Sequence, residues 1–445
     1  MKVPPKVRHL AASLLSITVL HGCGGGGSSG TASYASDEVE FLVNYMEKSY
    51  LFYQDIQTND VSSVTTPEKA LELRRAKQDR FSNIASAAAS DALFTEGQIT
   101  AFGFNQKLED DKLLRISFVQ PNSPAQAAGM KRGDAIIAID AESIASLLNK
   151  SLLADAFGPV ETGVRRTVTI QRASQTFDLV LTKATFTLQN ASLGKTITLI
   201  DGNKAGYLYY NSFNSPSLSQ WKSALSTMKA QGATKLVVDL RINGGGLVNI
   251  ATSLGATLVP SNTSGKLFVQ TAYNDKNTAS NVNYTIPFDT LAGTFTEIVF
   301  LTSPSTCSAS EALIVGIQPY LASTKVALLG STTCGKPYGF SPPVYKSKIY
   351  NIISIRIKNS VGFTDYVDGL TPNCKATDNN QLELGDEKES LLAAALSYLN
   401  TGVCPAVASA FSGIEKSNAQ QNSLEKTSDY WHLPKHIIGL ETGIQ

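Results

Sequence analysis

Between residues 35 and 97 apolar side chains recur three and four positions apart, and Val39, Leu42, Met46 and Tyr50 would share one face of a helix. Asp37 and Glu40 ahead of them have the spacing of a capping box. A second helix is predicted over 67–76, with Pro67 at its start and Glu68, Leu71 and Arg75 within it. The segment reads as a small N-terminal helical domain with a structural role and no chemistry of its own. From about residue 98 the pattern shortens to strand-like runs. Within it, "SPAQAAGMKRGDAIIAID" places Ser123 as a helix N-cap, Pro124 at the first helical position, Gly129 as the stop and "DAIIAID" as the following strand. Beyond about residue 186 the pattern is that of an α/β domain. "AGYLYY" is a strand, Leu218, Trp221, Leu225 and Met228 line a helix that Gly232 ends, and "KLVVDL" is a second strand. Strand, helix, strand implies a right-handed crossover and a partly parallel sheet. Further strands are predicted at 297–302, 325–330 and 350–357 and a closing helix at 387–399, so the α/β core spans 186–404, with a polar tail over 405–445.

The opening residues have the pattern of an export signal. Lys2, Lys6 and Arg8 precede an apolar run over 10–20, which is too short for a helix across a bilayer of about 30 Å. The stretch "VLHGC" resembles the lipobox of bacterial lipoproteins, although His21 is atypical of it. The resemblance implies a signal peptide over 1–22 and a lipid on Cys23 that anchors the chain in the cell envelope; the absence of Asp at position 24 favours the outer membrane. "GGGGSSG" then supplies a flexible tether over 23–34. The chain has 445 residues and a formal net charge of +1 with no basic block, which argues against nucleic acid as a partner. In an oxidising compartment the four remaining cysteines, Cys307, Cys334, Cys374 and Cys404, form an even set with three pairings open. Neighbourhood favours Cys307 with Cys334 and Cys374 with Cys404, each worth about 3 kcal/mol.

The α/β core contains no histidine: His9 and His21 lie in the signal, His432 and His436 in the tail. A Ser-His-Asp or Cys-His set is thereby disfavoured, and Pro434 between the two tail histidines argues against a helical zinc pair. A serine nucleophile then needs another base, and a buried lysine serves when burial disfavours its ammonium form. Lys336 in "GSTTCGKPYG" lies two residues after Cys334, and Ser308 in "STCSASE" directly follows Cys307, so a Cys307–Cys334 disulfide would make the two neighbours. In "DLRINGGGL" three glycines follow a buried strand and leave backbone N–H groups for an anion or a developing oxyanion.

The string from Ser123 to Asp140 resembles a PDZ domain over 98–185, and Phe102, Gly103 and Phe104 resemble its peptide carboxylate-binding loop. Together with the glycine, serine and lysine segments, in this order, it resembles the C-terminal processing peptidases, or tail-specific proteases, over about residues 35–404. The resemblance implies a crotonase- and Clp-protease-like α/β catalytic core with an inserted or preceding PDZ domain and a small N-terminal helical domain. It implies Ser308 as nucleophile, Lys336 as general base, and the N–H groups of Gly245 and Ala309 as oxyanion hole. It also implies a protein or peptide substrate presented through its free C-terminus, with no cofactor and no metal. Two departures stand out. The Ser308 to Lys336 interval is a few residues longer than the family pattern, and Phe340 occupies the place of a glutamine that orients the lysine. Glu311 is a candidate substitute, with first-turn helix charge as its alternative role. The competing expectation is a non-catalytic binder of peptides or lipophilic ligands on the same fold.

Overall fold

The structure, a computed structural model, describes residues 34–109 and 113–405. The signal, Cys23, the tail histidines and the tail from 406 lie outside the described residues.

The core sheet has six strands in the order Ala191–Thr198, Lys204–Tyr210, Lys235–Asp239, Glu297–Thr302, Val326–Gly330 and Cys374–Lys375. The first pair is antiparallel and the rest are parallel. Alternation along each strand sends side chains to two faces. Leu208, Tyr210, Leu236, Val238, Ile298 and Phe300 join one cluster with the helices Ser217–Ala230, Val248–Leu258 and Ala309–Ile317. Tyr207, Tyr209, Val237, Val299 and Leu301 pack with Leu391, Leu392, Ala395 and Leu399 of the closing helix Ser390–Thr401 on the other face. Cover on both faces is why these strands read as unbroken apolar runs.

The stretch expected as one strand over 350–357 is two. Lys348–Asn351 pairs with Asn83–Ser86, while Ile353–Asn359 pairs with Leu267–Tyr273 and Tyr338–Phe340 in a separate four-stranded sheet. The Ile352 N–H turns back to the Tyr350 carbonyl at 2.9 Å, a tight kink that a continuous apolar run does not announce.

The PDZ region is an insertion. Gln98–Ala101 and Ala184–Thr187 pair antiparallel as a neck, and between them lie the strands Phe104–Leu108, Leu114–Val119, Ala135–Ile139, Arg165–Arg172 and Gln175–Thr182. Its helix Pro124–Ala127 begins as expected, with the Ser123 hydroxyl accepting the Gln126 N–H.

The N-terminal segment forms helices Asp37–Ser49 and Pro67–Arg74, but two expectations change. Ser36, not Asp37, is the N-cap, and the Asp37 carboxylate is bound instead by Lys346 at 2.7 Å. The segment also shares its core with the rest of the chain. Leu42, Met46, Tyr50, Leu71 and Phe81 pack in one cluster with Cys307, Cys334, Tyr350 and Ile353.

Candidate active site

The strand Glu297–Thr302 leads into a turn docked on the glycine loop of the neighbouring strand. The Cys307 N–H and the Ser310 hydroxyl both donate to the Asn243 carbonyl, at 3.1 and 3.0 Å, and the Thr306 hydroxyl donates to the Leu240 carbonyl at 2.8 Å. Ser308 sits at the top with φ +56° and ψ −113°, a conformation that costs a non-glycine residue on the order of 1–3 kcal/mol and persists because the surroundings impose it. It is half-buried, at the N-cap of helix Ala309–Ile317. The Ala309 N–H opens that helix, where the first N–H groups have no intrahelical acceptor.

Gly245 closes against this turn. Its φ is +108°, and a Cβ there would lie 2.8 Å from the Cys307 carbonyl oxygen, 2.8 Å from Ser308 Cβ and 2.9 Å from the Ala309 nitrogen. Only glycine fits so close an approach. The expectation of an outward-facing Gly245 N–H changes, however: it donates to Oδ1 of Asn243 at 2.8 Å, and Asn243 Nδ2 donates to the Tyr210 carbonyl at 2.9 Å. Asn243 thus holds the loop, a role its place within "DLRINGGGL" offers but a reading centred on the glycines misses.

Glu311 carries the structural role. It is fully buried, with Oε2 accepting the Ser308 and Lys336 N–H groups, each at 2.9 Å. Oε1 accepts the Gly335 N–H at 2.9 Å and the Thr333 hydroxyl at 2.5 Å. One carboxylate therefore holds the backbones of the serine turn and the lysine turn together. Burial pushes its carboxyl above the ordinary range, against the pull of these donors. Both expected disulfides are present, Cys307–Cys334 and Cys374–Cys404. The first is a second tie between the same two turns. The sulfurs of Cys307 and Cys334 lie close to Glu311, but their bond to each other leaves no thiolate pair for a cation.

Lys336 is 1% exposed. Its Nζ lies over the rings of Phe340 and Phe81, 4.2 and 5.2 Å from their centroids. Phe81 belongs to the N-terminal segment, and nothing in the local pattern around it pointed to the site.

Beneath the glycine loop runs a buried ion network. Arg241 pairs with Asp239 at 2.8 Å, with Glu389 at 2.7 Å and with Asp378 at 3.1 Å. Arg132, from the PDZ region, pairs with the same Asp378 and donates to the Leu382 carbonyl at 2.9 Å.

In the PDZ region Phe102 and Phe104 are buried, with their rings stacked 6.4 Å apart. Gly103 lies between them at φ +92°, where a Cβ would fall 2.1 Å from Ser123 Cβ. Phe104–Leu108 is a terminal strand of its sheet.

The architecture thus combines an α/β sheet covered on both faces, a strained serine at a strand-to-helix turn, a glycine loop against it and an inserted PDZ-like barrel. Comparison with known proteins narrows the class. The model of peptidase family S41 matches residues 204–346, and that of the PDZ domain matches residues 94–156. The chain is thus similar to peptidase family S41 over one segment of its α/β core and to the PDZ domain over the inserted region. It is 26% identical over 247 residues to the carboxyl-terminal-processing protease of Synechocystis sp., covering 54% of each chain. It is 24% identical over 240 residues to a Staphylococcus aureus protein named "Probable CtpA-like serine protease", covering 54% of this chain and 45% of that one. The chain thus spans about half the length of the curated relatives it matches. In fold it is similar to an S41 protein of Bacteroides fragilis, with a TM-score of 0.65 at 24% identity over 82% of this chain and 97% of that one. It is also similar to the photosystem II D1 C-terminal processing protease, with a TM-score of 0.52 at 20% identity over 81% and 98%.

Proposed function

We propose that this protein is a serine endopeptidase of the cell envelope that cleaves proteins or peptides presented through their C-termini, with Ser308 and Lys336 as a catalytic dyad. The observation that carries the reading is the convergence of the two segments on Glu311, reinforced by the Cys307–Cys334 disulfide. The substrate C-terminus would seat at Phe102, Gly103 and Phe104, with the chain added along the Phe104–Leu108 edge. The Ser308 hydroxyl attacks the scissile carbonyl while neutral Lys336 takes its proton. The Ala309 N–H faces the tetrahedral oxyanion, and the Gly245 N–H joins it by exchanging Asn243 Oδ1 for the substrate oxygen. Lys336 then protonates the leaving amine, and water releases the acyl group from Ser308. None of these steps calls for a metal or an organic cofactor.

The envelope location rests on the export-signal pattern and on Cys23. Among the described residues no helix is long and apolar enough to cross a membrane. The processing protease names of the relatives accord with the reading.

Cleavage of an unstructured protein such as casein by the mature chain tests it. Activity in the parent that is lost in folded Ser308→Ala and Lys336→Ala variants is the expected outcome. Activity indifferent to either change would overturn the dyad, and a folded but inactive parent that still binds peptide or lipid would favour the non-catalytic reading, for which Phe340 in place of a glutamine speaks.

A further inference from the structure

The Lys336 amine does its work only if a side chain with four rotatable bonds is held in one direction. The backbone ties on Glu311 fix where the side chain starts and say nothing of where the amine ends. Two aromatic faces flank that end, Phe340 at 4.2 Å from Nζ and Phe81 at 5.2 Å. A cation over a ring face within about 6 Å is attracted by the ring quadrupole, and two faces confine it from two sides. Each ring is itself held. Phe340 lies in the strand Tyr338–Phe340, paired with Ile353–Asn359. Phe81 is fixed through Asp79, whose carboxylate accepts the N–H groups of Phe81 and Ser82, both at 2.9 Å, and the Tyr50 hydroxyl at 2.7 Å. Arg80 continues the contact by donating to the Cys334 carbonyl at 3.3 Å.

We propose that Phe81 and Phe340 form a two-sided aromatic slot that positions the Lys336 amine, so that the N-terminal helical segment is a working part of the active centre. The two rings are positioning residues, acting through Lys336: they hold the ammonium that it becomes on taking the Ser308 proton, in place to deliver that proton to the leaving amine. This deepens the dyad reading and rests on it for its link to catalysis. It also gives Phe340 a role in orienting the lysine by ring faces, at the place where the family resemblance implies a glutamine.

The slot has a titration consequence. Ring faces favour the ammonium, so removing one makes the amine easier to deprotonate. The other charged and titratable groups on the packed elements have named partners or positions. Glu311 accepts three backbone N–H groups and the Thr333 hydroxyl, Asp79 and Arg80 are engaged as above, and Arg356 lies over the Tyr338 ring. Tyr366 is buried, and burial pushes its hydroxyl far above the ordinary tyrosine range, so it stays neutral across the pH range of the test.

The test is the Lys336 amine titration in the full mature chain carrying Ser308→Ala, read from the lysine ¹³Cε resonance that disappears on Lys336→Arg. Phe340→Leu keeps an apolar side chain without a ring face and should lower the midpoint by about half to one pH unit, given the strength of such contacts. Phe340→Tyr keeps the face and should leave the midpoint within about 0.2 units of the parent. With Ser308 intact, the acid limb of kcat/KM should move by the same amount as the resonance. An unmoved midpoint in folded Phe340→Leu, or an equal shift in Phe340→Tyr, would overturn the slot. Should Phe340→Leu fail to fold, Phe81→Leu read on the same resonance decides by the same criterion. A parent that cleaves nothing would remove the dyad reading while the resonance still decides the slot.

Discussion

Replacing Glu311 by glutamine changes one atom pair at the point where the serine and lysine turns meet. Both carboxylate oxygens are acceptors in the structure, each for two donors. In a glutamine one of them becomes a donor, and two orientations are open. With the NH2 group in the place of Oε2, it faces the N–H groups of both Ser308 and Lys336, and two buried bonds are lost. With the NH2 group in the place of Oε1, it faces the Gly335 N–H and the Thr333 hydroxyl. Thr333 could accept instead, so only the Gly335 N–H is left unpaired. The second orientation therefore wins. Its cost is one buried unsatisfied N–H, about 1–3 kcal/mol, plus the loss of charge assistance in the two surviving bonds, about 1 kcal/mol each. Against this stands relief from burying a charge, which the upward push on the Glu311 carboxyl makes real. The balance is a loss of roughly 2–4 kcal/mol. Urea unfolding of the mature chain, parent against Glu311→Gln in the Ser308→Ala background, measures it as a shift in midpoint at unchanged slope. In the Ser308-intact chain kcat should fall at least tenfold. A stability change under about 1 kcal/mol with activity retained would refute the claim that this carboxylate holds the two turns together.

Three other outcomes follow from the geometry. The Cys307→Ser, Cys334→Ser double variant opens a 27-residue loop and should lose about 3–4 kcal/mol, together with activity, in the same urea assay; unchanged cleavage would show Glu311 suffices alone. Gly245→Ala puts a methyl group 2.8 Å from the Cys307 carbonyl and from Ser308 Cβ at a left-handed backbone position, so casein cleavage should fall by at least about a hundredfold while the PDZ region still binds peptide. Arg241→Met leaves Asp239 and Glu389 buried without their guanidinium and should cost about 3–5 kcal/mol in thermal or urea unfolding. Two carboxyls of the same network set an acid limit, while burial pushes the third, Asp239, above the ordinary range so that its contribution runs the other way. Burial works to raise the carboxyls of Asp378 and Glu389, but Arg241, with Arg132 at Asp378, outweighs it and holds both below their usual 3.8 and 4.5. A depressed folded pKa contributes stability that is present above the unfolded value and is lost as pH falls through the folded one. Stability should therefore decline below about pH 4.5, with a shallower decline in Arg241→Met.

Local pattern was enough for elements whose partners lie close in sequence or whose faces are uniformly buried. Leu218, Trp221, Leu225 and Met228 declared a helix, and "KLVVDL" and the run at Glu297–Thr302 declared strands, because period and apolar content are local properties. Pattern failed where a distant partner decided. Asp37 reads as a cap until Lys346 takes its carboxylate, and the run around Ile352 reads as one strand until two sheets claim its halves.

By itself the sequence determined the order of elements, the candidate nucleophile and base, the favoured cysteine pairs and the absence of a core histidine, since each depends only on which residues stand near which along the chain. Tertiary structure alone decided that Glu311 joins the two turns, that Asn243 holds the Gly245 N–H, and that Phe81, some 255 residues before Lys336 in sequence, covers its amine. Those contacts pair residues that share no period, motif or neighbourhood. They exist because packing one layer on another brings together groups that the one-dimensional pattern keeps apart.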